Sequence, residues 1–330
     1  MGISELESVV EEARQAISDM KVRGAGEIAR FAVKTLMRVS ELSEAENPEA
    51  FMRDLNYASS RLLSSRPTAV SLPNGIRYVM LKAKHFHKKG ADLDALKKAV
   101  CSAGMKFIDR SLEAVNLIAR FGSKRIMNGD VVMTHCNSAA VTSILIEAHR
   151  LGRSFDVYVT ETRPRYQGRI TVRELLDVGI PCTLIVDSAM RHFMKDVDKV
   201  MVGADAVAAN GALVNKVGTS LMALAAREAR AEFLVAAETY KFSPETLTGQ
   251  LVWIEERPTE EVLPEAERSG LWSAKVRNPS FDVTPPDYVD AIITELGVIP
   301  PQAAFWVLQK VYGSLSPEEL ASYSTIHPTE

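Results

Sequence analysis

Residues 129–140 read GDVVMTHCNSAA, and the fold turns on how that stretch is parsed. Val131-Val132-Met133 is a short apolar run, and Thr134-His135-Cys136-Asn137-Ser138 follows it as a block of hydroxyl, imidazole, thiol and amide groups. The same order recurs downstream. Val157-Tyr158-Val159 leads to Thr160-Glu161-Thr162-Arg163, Leu184-Ile185-Val186 to Asp187-Ser188, and Val200-Met201-Val202 to Gly203-Ala204-Asp205. Phe233-Leu234-Val235 leads through two alanines to Glu238-Thr239-Tyr240-Lys241. Short apolar runs that alternate with helical stretches read as buried parallel strands of β-α units. Ligands of such sheets bind beyond the carboxyl ends of the strands. The thiol, carboxylates, arginine and lysine are therefore expected to converge on one crevice suited to a small anionic substrate.

Upstream of Asn128-Gly129-Asp130 the periodicity changes. Leu6, Val9, Val10, Ala13 and Ile17 recur at helical spacing, as do Ile28, Ala29, Ala32, Val33 and Leu36 after Gly26. Further helices are expected from about Pro48 to Leu63, Gly75 to Lys88 and Leu93 to Phe121, with Arg66-Pro67 as an interruption because proline disfavours helix in the residue before it. Between the strands, helices are expected over about Ser138–Leu151, Thr171–Asp177 and Ser220–Ala231. Asp290–Leu296 and Ala303–Tyr312 read as a closing tail, and proline-rich, charged Pro258–Asn278 as an excursion from the core. The pattern predicts an α/β chain: an N-terminal helical domain over 1–125, then a Rossmann-like domain over 126–330 with a mainly parallel sheet.

Composition limits the function. The 330 residues are 46% hydrophobic and 25% charged, with a net charge of −3, so no global basic field recruits nucleic acid or an acidic membrane surface. Three cysteines give no disulfide framework and no zinc spacing, and a reduced cytoplasmic setting is expected. No apolar stretch reaches membrane-spanning length and the N-terminus has no signal-peptide pattern. No GxGxxG follows a strand, no Walker loop occurs, and the six histidines show no HExxH spacing, so neither a cofactor nor a metal is expected.

Each candidate residue has a functional and a structural reading. Cys136 lies between a strand and a helix that begins near Ser138, where the helix dipole favours thiolate; the alternative is an inert packed cysteine. Ser138, Ala139 and Ala140 leave backbone N–H groups open to a phosphate, or Ser138 is simply the helix N-cap. Asp205, enclosed by apolar neighbours, suits a general acid with a raised pKa, or a turn aspartate. The turn signal Asn210-Gly211 is expected to return Asn215 and Lys216 toward Asp205. Arg23, Gly24, Ala25 and Gly26 join a cation to flexible backbone ahead of a helix, a plausible but weakly specific anion cradle. Arg66, Arg163 and Lys241 are individually solvated charges and together enough to balance two phosphates. His135 is expected to face away from Cys136, since neighbouring strand residues alternate sides.

Seven strings carry a resemblance. RGAG (23–26), SSRPTAV (64–70), GDVVMTHCNSAA (129–140), TETRPRYQG (160–168), VGADAVAANGALVNKVGT (202–219), ETYKFSP (238–244) and DVTPPDYVDAIITELGVIPP (282–301) span nearly the whole chain. They are similar to the superfamily of translation initiation factor 2B alpha, beta and delta subunits, methylthioribose-1-phosphate isomerase and archaeal ribose-1,5-bisphosphate isomerase. The bisphosphate isomerase branch is the nearest likeness. Translation-factor alpha subunits usually lack the pair matching Cys136 and Asp205, and methylthioribose enzymes usually carry proline where this chain has Gly26.

The resemblance implies an aldose-ketose isomerase that converts α-D-ribose 1,5-bisphosphate to D-ribulose 1,5-bisphosphate in archaeal AMP salvage. Cys136 and Asp205 would be its acid-base pair, with Asp205 protonating the ring oxygen and a Cys136 thiolate removing the C2 proton. Arg23, Gly24, Ala25, Gly26, Arg66, Ser138, Ala139, Ala140, Asn215, Lys216 and Lys241 would contact substrate, with Arg163 added or else holding its own loop. A homo-hexamer built as a trimer of dimers and AMP as a candidate effector are also implied. Methylthioribose-1-phosphate isomerase and a non-catalytic regulatory subunit are the alternatives.

Overall fold

The computed structural model describes residues 5–66, 70–249, 251–267, 274–312 and 316; Pro67 in the SSRPTAV string lies outside them. Five helices open the chain: α1 Glu5–Ser18, α2 Ala25–Leu42, α3 Pro48–Leu63, α4 Ser71–Lys88 and α5 Leu93–Gly122. The apolar stripe read from the sequence is the buried one, since Ile28, Ala29, Ala32, Val33 and Leu36 are all at most 1% exposed. Asn47 caps α3 by accepting the Ala50 N–H at 2.9 Å, and Pro48 follows at N1, where no N–H is needed.

From Val131 the chain alternates strand and helix: β1 Val131–Thr134, α6 Ala139–Arg150, β2 Asp156–Thr160, α7 Gly168–Leu176, β3 Cys182–Ile185, the one-turn α8 Met190–Phe193 and β4 Lys199–Val202. A hairpin of β5 Ala206–Val207 and β6 Leu213–Lys216 precedes α9 Thr219–Ala229 and β7 Glu232–Ala236. Then come β8 Phe281–Thr284, β9 Ala291–Thr294, β10 Gly297–Ile299 and α10 Ala304–Tyr312. The main sheet has the order β10-β9-β7-β4-β1-β2-β3 and is parallel except for β10. Each of the five apolar runs became one of its strands. Val132, Met133, Val200, Met201, Val202, Phe233, Leu234 and Val235 are all at most 1% exposed. Successive residues point to opposite faces, so both faces are covered, as a parallel sheet requires. Each such side chain contributes about 1.5–3 kcal/mol on burial.

The expected closing tail at Asp290–Leu296 needs correction, because Ala291–Thr294 is a strand inside the main sheet. It pairs in parallel with β7 and antiparallel with β10, and Ile292 and Ile293 fill the core. A smaller antiparallel sheet, β5-β6-β8, sets Asn215 opposite Asp282 and Lys216 opposite Phe281.

The chain forms two compact units. One comprises Met1–Glu113, Tyr240–Gln250 and Val311–Glu330; the other comprises Ala114–Thr239 and Leu251–Lys310. The helical unit thus takes in a late stretch of chain, and α4 grips it. Asn74 Nδ2 donates to the carbonyls of Tyr240 and Phe242, both at 2.9 Å. Arg77, only 1% exposed, donates to Asn74 Oδ1 and pairs with Glu245. Gly26 allows Tyr240 close, since a Cβ there would lie 2.6 Å from its hydroxyl oxygen. Among the described residues, no helix is long and apolar enough to cross a membrane.

In the other unit Gly168 is forced by contact. A Cβ there would lie 1.7 Å from the Thr160 carbonyl oxygen, a backbone atom at the end of β2 that has no side-chain freedom with which to yield. Gly168→Ala is expected to destabilise the protein by about 3 kcal/mol, at the upper end of the overpacking range. Denaturant midpoints measure this, and a loss under 1 kcal/mol would show that α7 can shift without consequence.

Candidate functional site

The carboxyl ends of β1, β2, β3 and β4 meet around Cys136. Cys136 itself has a left-handed backbone, φ 69°, and so does Thr162, φ 61°. The Cys136 N–H donates to Thr162 Oγ1 at 2.9 Å, and the Cys136 carbonyl accepts from Thr171 Oγ1 at 2.9 Å. The peptide is therefore held from both sides by the loop and helix that follow β2. Beyond β4, Gly203 passes so near Ser138 that a Cβ would lie 2.5 Å from the serine oxygen. This close approach brings Asp205, two residues on, to the side of the cysteine loop.

The hairpin signalled by Asn210-Gly211 folds back as read. Gly211 N–H donates to Ala208 O at 2.8 Å, and the Asp205 N–H donates to the Val214 carbonyl at 3.0 Å. Asn215 and Lys216 consequently follow directly beside Asp205. Asn215 is buried and donates through Nδ2 to Thr219 Oγ1 at 3.0 Å. The Lys216 ammonium lies 5.0 Å from the centre of the Phe281 ring. Asp205 is partly exposed, less enclosed than its apolar neighbours in sequence suggest.

Three charges act on the Cys136 thiol: Lys216 favours its ionisation, while Asp205 and Asp187 oppose it. Desolvation outweighs them all, and the thiol is pushed up to about 11. Burial thus works against the thiolate expected from the helix N-terminus. Ser138 caps α6, its side chain accepting the Val141 N–H. At pH 8 about one thiol in a thousand is ionised, so alkylation of Cys136 by iodoacetamide is expected to be slow and to climb steeply up to pH 11. Peptide mass spectrometry over a pH series measures this, and a midpoint below pH 8 would contradict it.

His135 does face away from the thiol, and both of its nitrogens are engaged. Nε2 lies 2.8 Å from the Val217 carbonyl, which can only accept, so Nε2 carries the proton; Nδ1 then accepts from Thr160 Oγ1 at 2.6 Å. Burial lowers its pKa and keeps it neutral. It braces the ends of β1, β2 and β6.

The other candidates are distributed as follows. Ala139 and Ala140 form the first turn of α6. Arg163 is exposed, and its guanidinium is directed to the Tyr166 hydroxyl and the Val262 carbonyl, so the structural reading of this arginine fits its contacts. In the helical unit, Gly24 is the N-cap of α2 with φ 83°, and Arg23 is exposed with Nε on the Met20 carbonyl at 2.9 Å. Arg66 is half-buried after α3. Lys241 is buried in a 3₁₀ turn over Thr239–Lys241, between the two carbonyls that Asn74 holds. Among the described residues no group of three or more His, Cys, Asp or Glu is placed to hold a metal ion.

Sequence reasoning did not carry Asp187 and Asp282 into the site. Asp187 ends the third apolar run and accepts the backbone N–H groups of Thr162 and Arg163. Asp282 accepts from Gly218 and Ser220 at the start of α9, and burial raises its pKa. Asp187 obeys the same strand-end rule as Cys136, which was the available signal. Asp282 gave none, because its partners lie more than sixty residues away in sequence.

A model of the initiation factor 2 subunit family matches residues 21–301. The ribose 1,5-bisphosphate isomerase of Thermococcus kodakarensis is 50% identical over 304 residues, covering 92% of this chain and 94% of that one. The methylthioribose-1-phosphate isomerase of Acetivibrio thermocellus is 37% identical over 311 residues, 91% and 90% of the two chains. Among solved structures, 5-methylthioribose 1-phosphate isomerase from Pyrococcus horikoshii OT3 aligns with a TM-score of 0.75 at 32% identity, covering 92% and 88%.

Proposed function

The chain belongs to the initiation factor 2 subunit family, and on that premise we propose that it converts α-D-ribose 1,5-bisphosphate to D-ribulose 1,5-bisphosphate, with Cys136 and Asp205 as the acid-base pair. That it is an isomerase follows from relatives near half identity over nine-tenths of both chains. The observation that supports the chemistry is that the Cys136 thiol and the Asp205 side chain lie within electrostatic range of each other, beside Lys216, at adjoining strand ends.

The charge state of the thiol sets the order of proton transfers. Cys136 donates its proton to the ring oxygen O4 as the C1–O4 bond breaks. The Asp205 carboxylate removes the C2 proton, and the electrons form the C1–C2 double bond of an enol phosphate. Return of the C2 proton from Asp205 to C1, with transfer of the O2 proton to the Cys136 thiolate, gives the ketose and restores both residues. This reverses the roles expected from the sequence, and two nearby phosphates reinforce it by opposing thiolate further. Lys216, Asn215, the first turn of α6, Arg23–Gly26, Arg66 and Lys241 are taken as the substrate contacts. A second phosphate needs cations, whereas a thioether needs an apolar lining; the identity of 50% to a ribose 1,5-bisphosphate isomerase, against 37% to a methylthioribose-1-phosphate isomerase, supports the bisphosphate. The homo-hexamer, AMP as effector and a place in cytoplasmic nucleotide salvage belong to this reading as its further expectations.

The test is turnover of α-ribose 1,5-bisphosphate by the purified protein, followed as ribulose 1,5-bisphosphate, beside methylthioribose 1-phosphate. Turnover of the bisphosphate with a kcat/KM at least tenfold higher is expected. Preference for the methylthio sugar would overturn the assignment of substrate, and turnover of neither would favour a regulatory protein.

A further inference from the structure

Cys136 and Thr162 are non-glycine residues in the left-handed region, and Thr162 is also β-branched and fully buried. Such conformations persist only where surrounding structure over-determines them, and they gather at functional sites. Besides Thr171, which holds the Cys136 carbonyl, one side chain bears on both residues. Asp187 follows β3 and opens a 3₁₀ turn, Asp187–Ala189. Its Oδ1 accepts the Thr162 N–H at 2.8 Å, and its Oδ2 accepts the Arg163 N–H at 2.6 Å. Both carboxylate oxygens are thus spent on consecutive backbone donors just after β2. Thr162 Oγ1, set by that backbone, donates to the Thr160 carbonyl at 3.3 Å and accepts the Cys136 N–H at 2.9 Å.

We infer that Asp187 is a positioning residue for Cys136: its carboxylate fixes the backbone at left-handed Thr162 and at Arg163 beside it, and the Thr162 hydroxyl in turn holds Cys136 by its N–H. The relay links the ends of β3, β2 and β1 in that order. Asp187 also joins Asp205 in opposing ionisation of the thiol, against Lys216, while the neutral His135 contributes no charge. One carboxylate therefore both places the thiol and helps to keep its proton on. This rests on the proposed role of Cys136 as proton donor.

Asp187→Asn keeps the size of the side chain but offers one acceptor where two are needed, and it removes the charge. The expected result is a kcat lower by about 10–100-fold with KM within about threefold, the pattern of a misplaced reacting group. Without substrate, alkylation of Cys136 at pH 8 should quicken by about 3–10-fold, because a facing negative charge is gone. Thr162→Val, which leaves the Cys136 N–H without its acceptor, should lower kcat to a similar extent. Thr162→Ser, which keeps the hydroxyl, should recover the turnover lost in Thr162→Val. In a relay, the Asp187→Asn/Thr162→Val double variant is no worse than the poorer single one.

Multiplicative losses in the double variant, or unchanged kcat and alkylation in Asp187→Asn, would overturn the inference. Should Asp187→Asn fail to fold, equal turnover of Thr162→Val and Thr162→Ser would overturn it as well. If the protein turns over neither sugar phosphate, the functional reading fails on its own. The alkylation rates still judge the relay, with unchanged rates in Asp187→Asn and Thr162→Val counting against it.

Discussion

Replacing Cys136 by serine is expected to lower kcat for ribose 1,5-bisphosphate by about 10²–10⁴-fold, the usual worth of a positioned acid or base, with little change in KM. Serine preserves the backbone bonds to Thr162 and Thr171, because those use the N–H and the carbonyl of residue 136. The loop should therefore survive, and the loss would report chemistry alone. A hydroxyl is a far weaker acid than even this thiol, so it would be a poor donor for the proposed proton transfer to O4. Asp205→Asn removes the group proposed to take the C2 proton, and a loss of the same order is expected. Residues that act as a unit are not additive, so the double variant should be about as slow as the worse single one. Steady-state kinetics on the folded variants measure this. Retention of more than a tenth of the wild-type kcat by either would remove that residue from the pair. With C2-deuterated substrate in ordinary water, proton transfer through Asp205 predicts partial loss of the label from C1 of the product, whereas complete retention would indicate a hydride shift.

The second large effect lies in the helical unit. Arg77→Met should destabilise the protein by about 3–5 kcal/mol, the usual cost of removing one partner of a buried ion pair. The substitution leaves the Glu245 carboxylate, whose side chain is 16% exposed, without its guanidinium, and takes a donor from Asn74 Oδ1. Adding Glu245→Leu should restore most of the loss, because replacing both charges by apolar groups is often neutral or favourable. Urea unfolding of the three proteins reads the result. A single-variant loss below 1 kcal/mol would show that the pair is solvated in practice.

Much of this architecture is legible in the residues. Parallel strands buried on both faces must be continuous apolar runs, which is why Val131–Met133 and Val200–Val202 could be read without a structure. Ala291–Thr294 escaped because its two isoleucines are flanked by Asp290 and Glu295, and only pairing with β7 and β10 makes a strand of them. Phe281–Thr284 depends in the same way on β6, more than sixty residues earlier. At the site, the strand-end rule pointed to Cys136 and Asp205. It could not give the charge on the thiol, which is a contest between desolvation, the adjoining Asn137 N–H and three charged neighbours from separate elements. Nor could it reveal the Asp187 relay, since left-handed backbone at a cysteine and a threonine has no sequence signature.

The grip of Asn74 and Arg77 on the 240–245 segment also has a cost in time. The bonds from Asn74 to the Tyr240 and Phe242 carbonyls span 166 and 168 residues. A ribosome adds about 5–20 residues per second, so roughly ten to thirty seconds separate the emergence of α4 from that of its acceptors. Through that interval the guanidinium of Arg77 must stay hydrated and the helical unit incomplete. The first helices to be made are thus among the last to be finished.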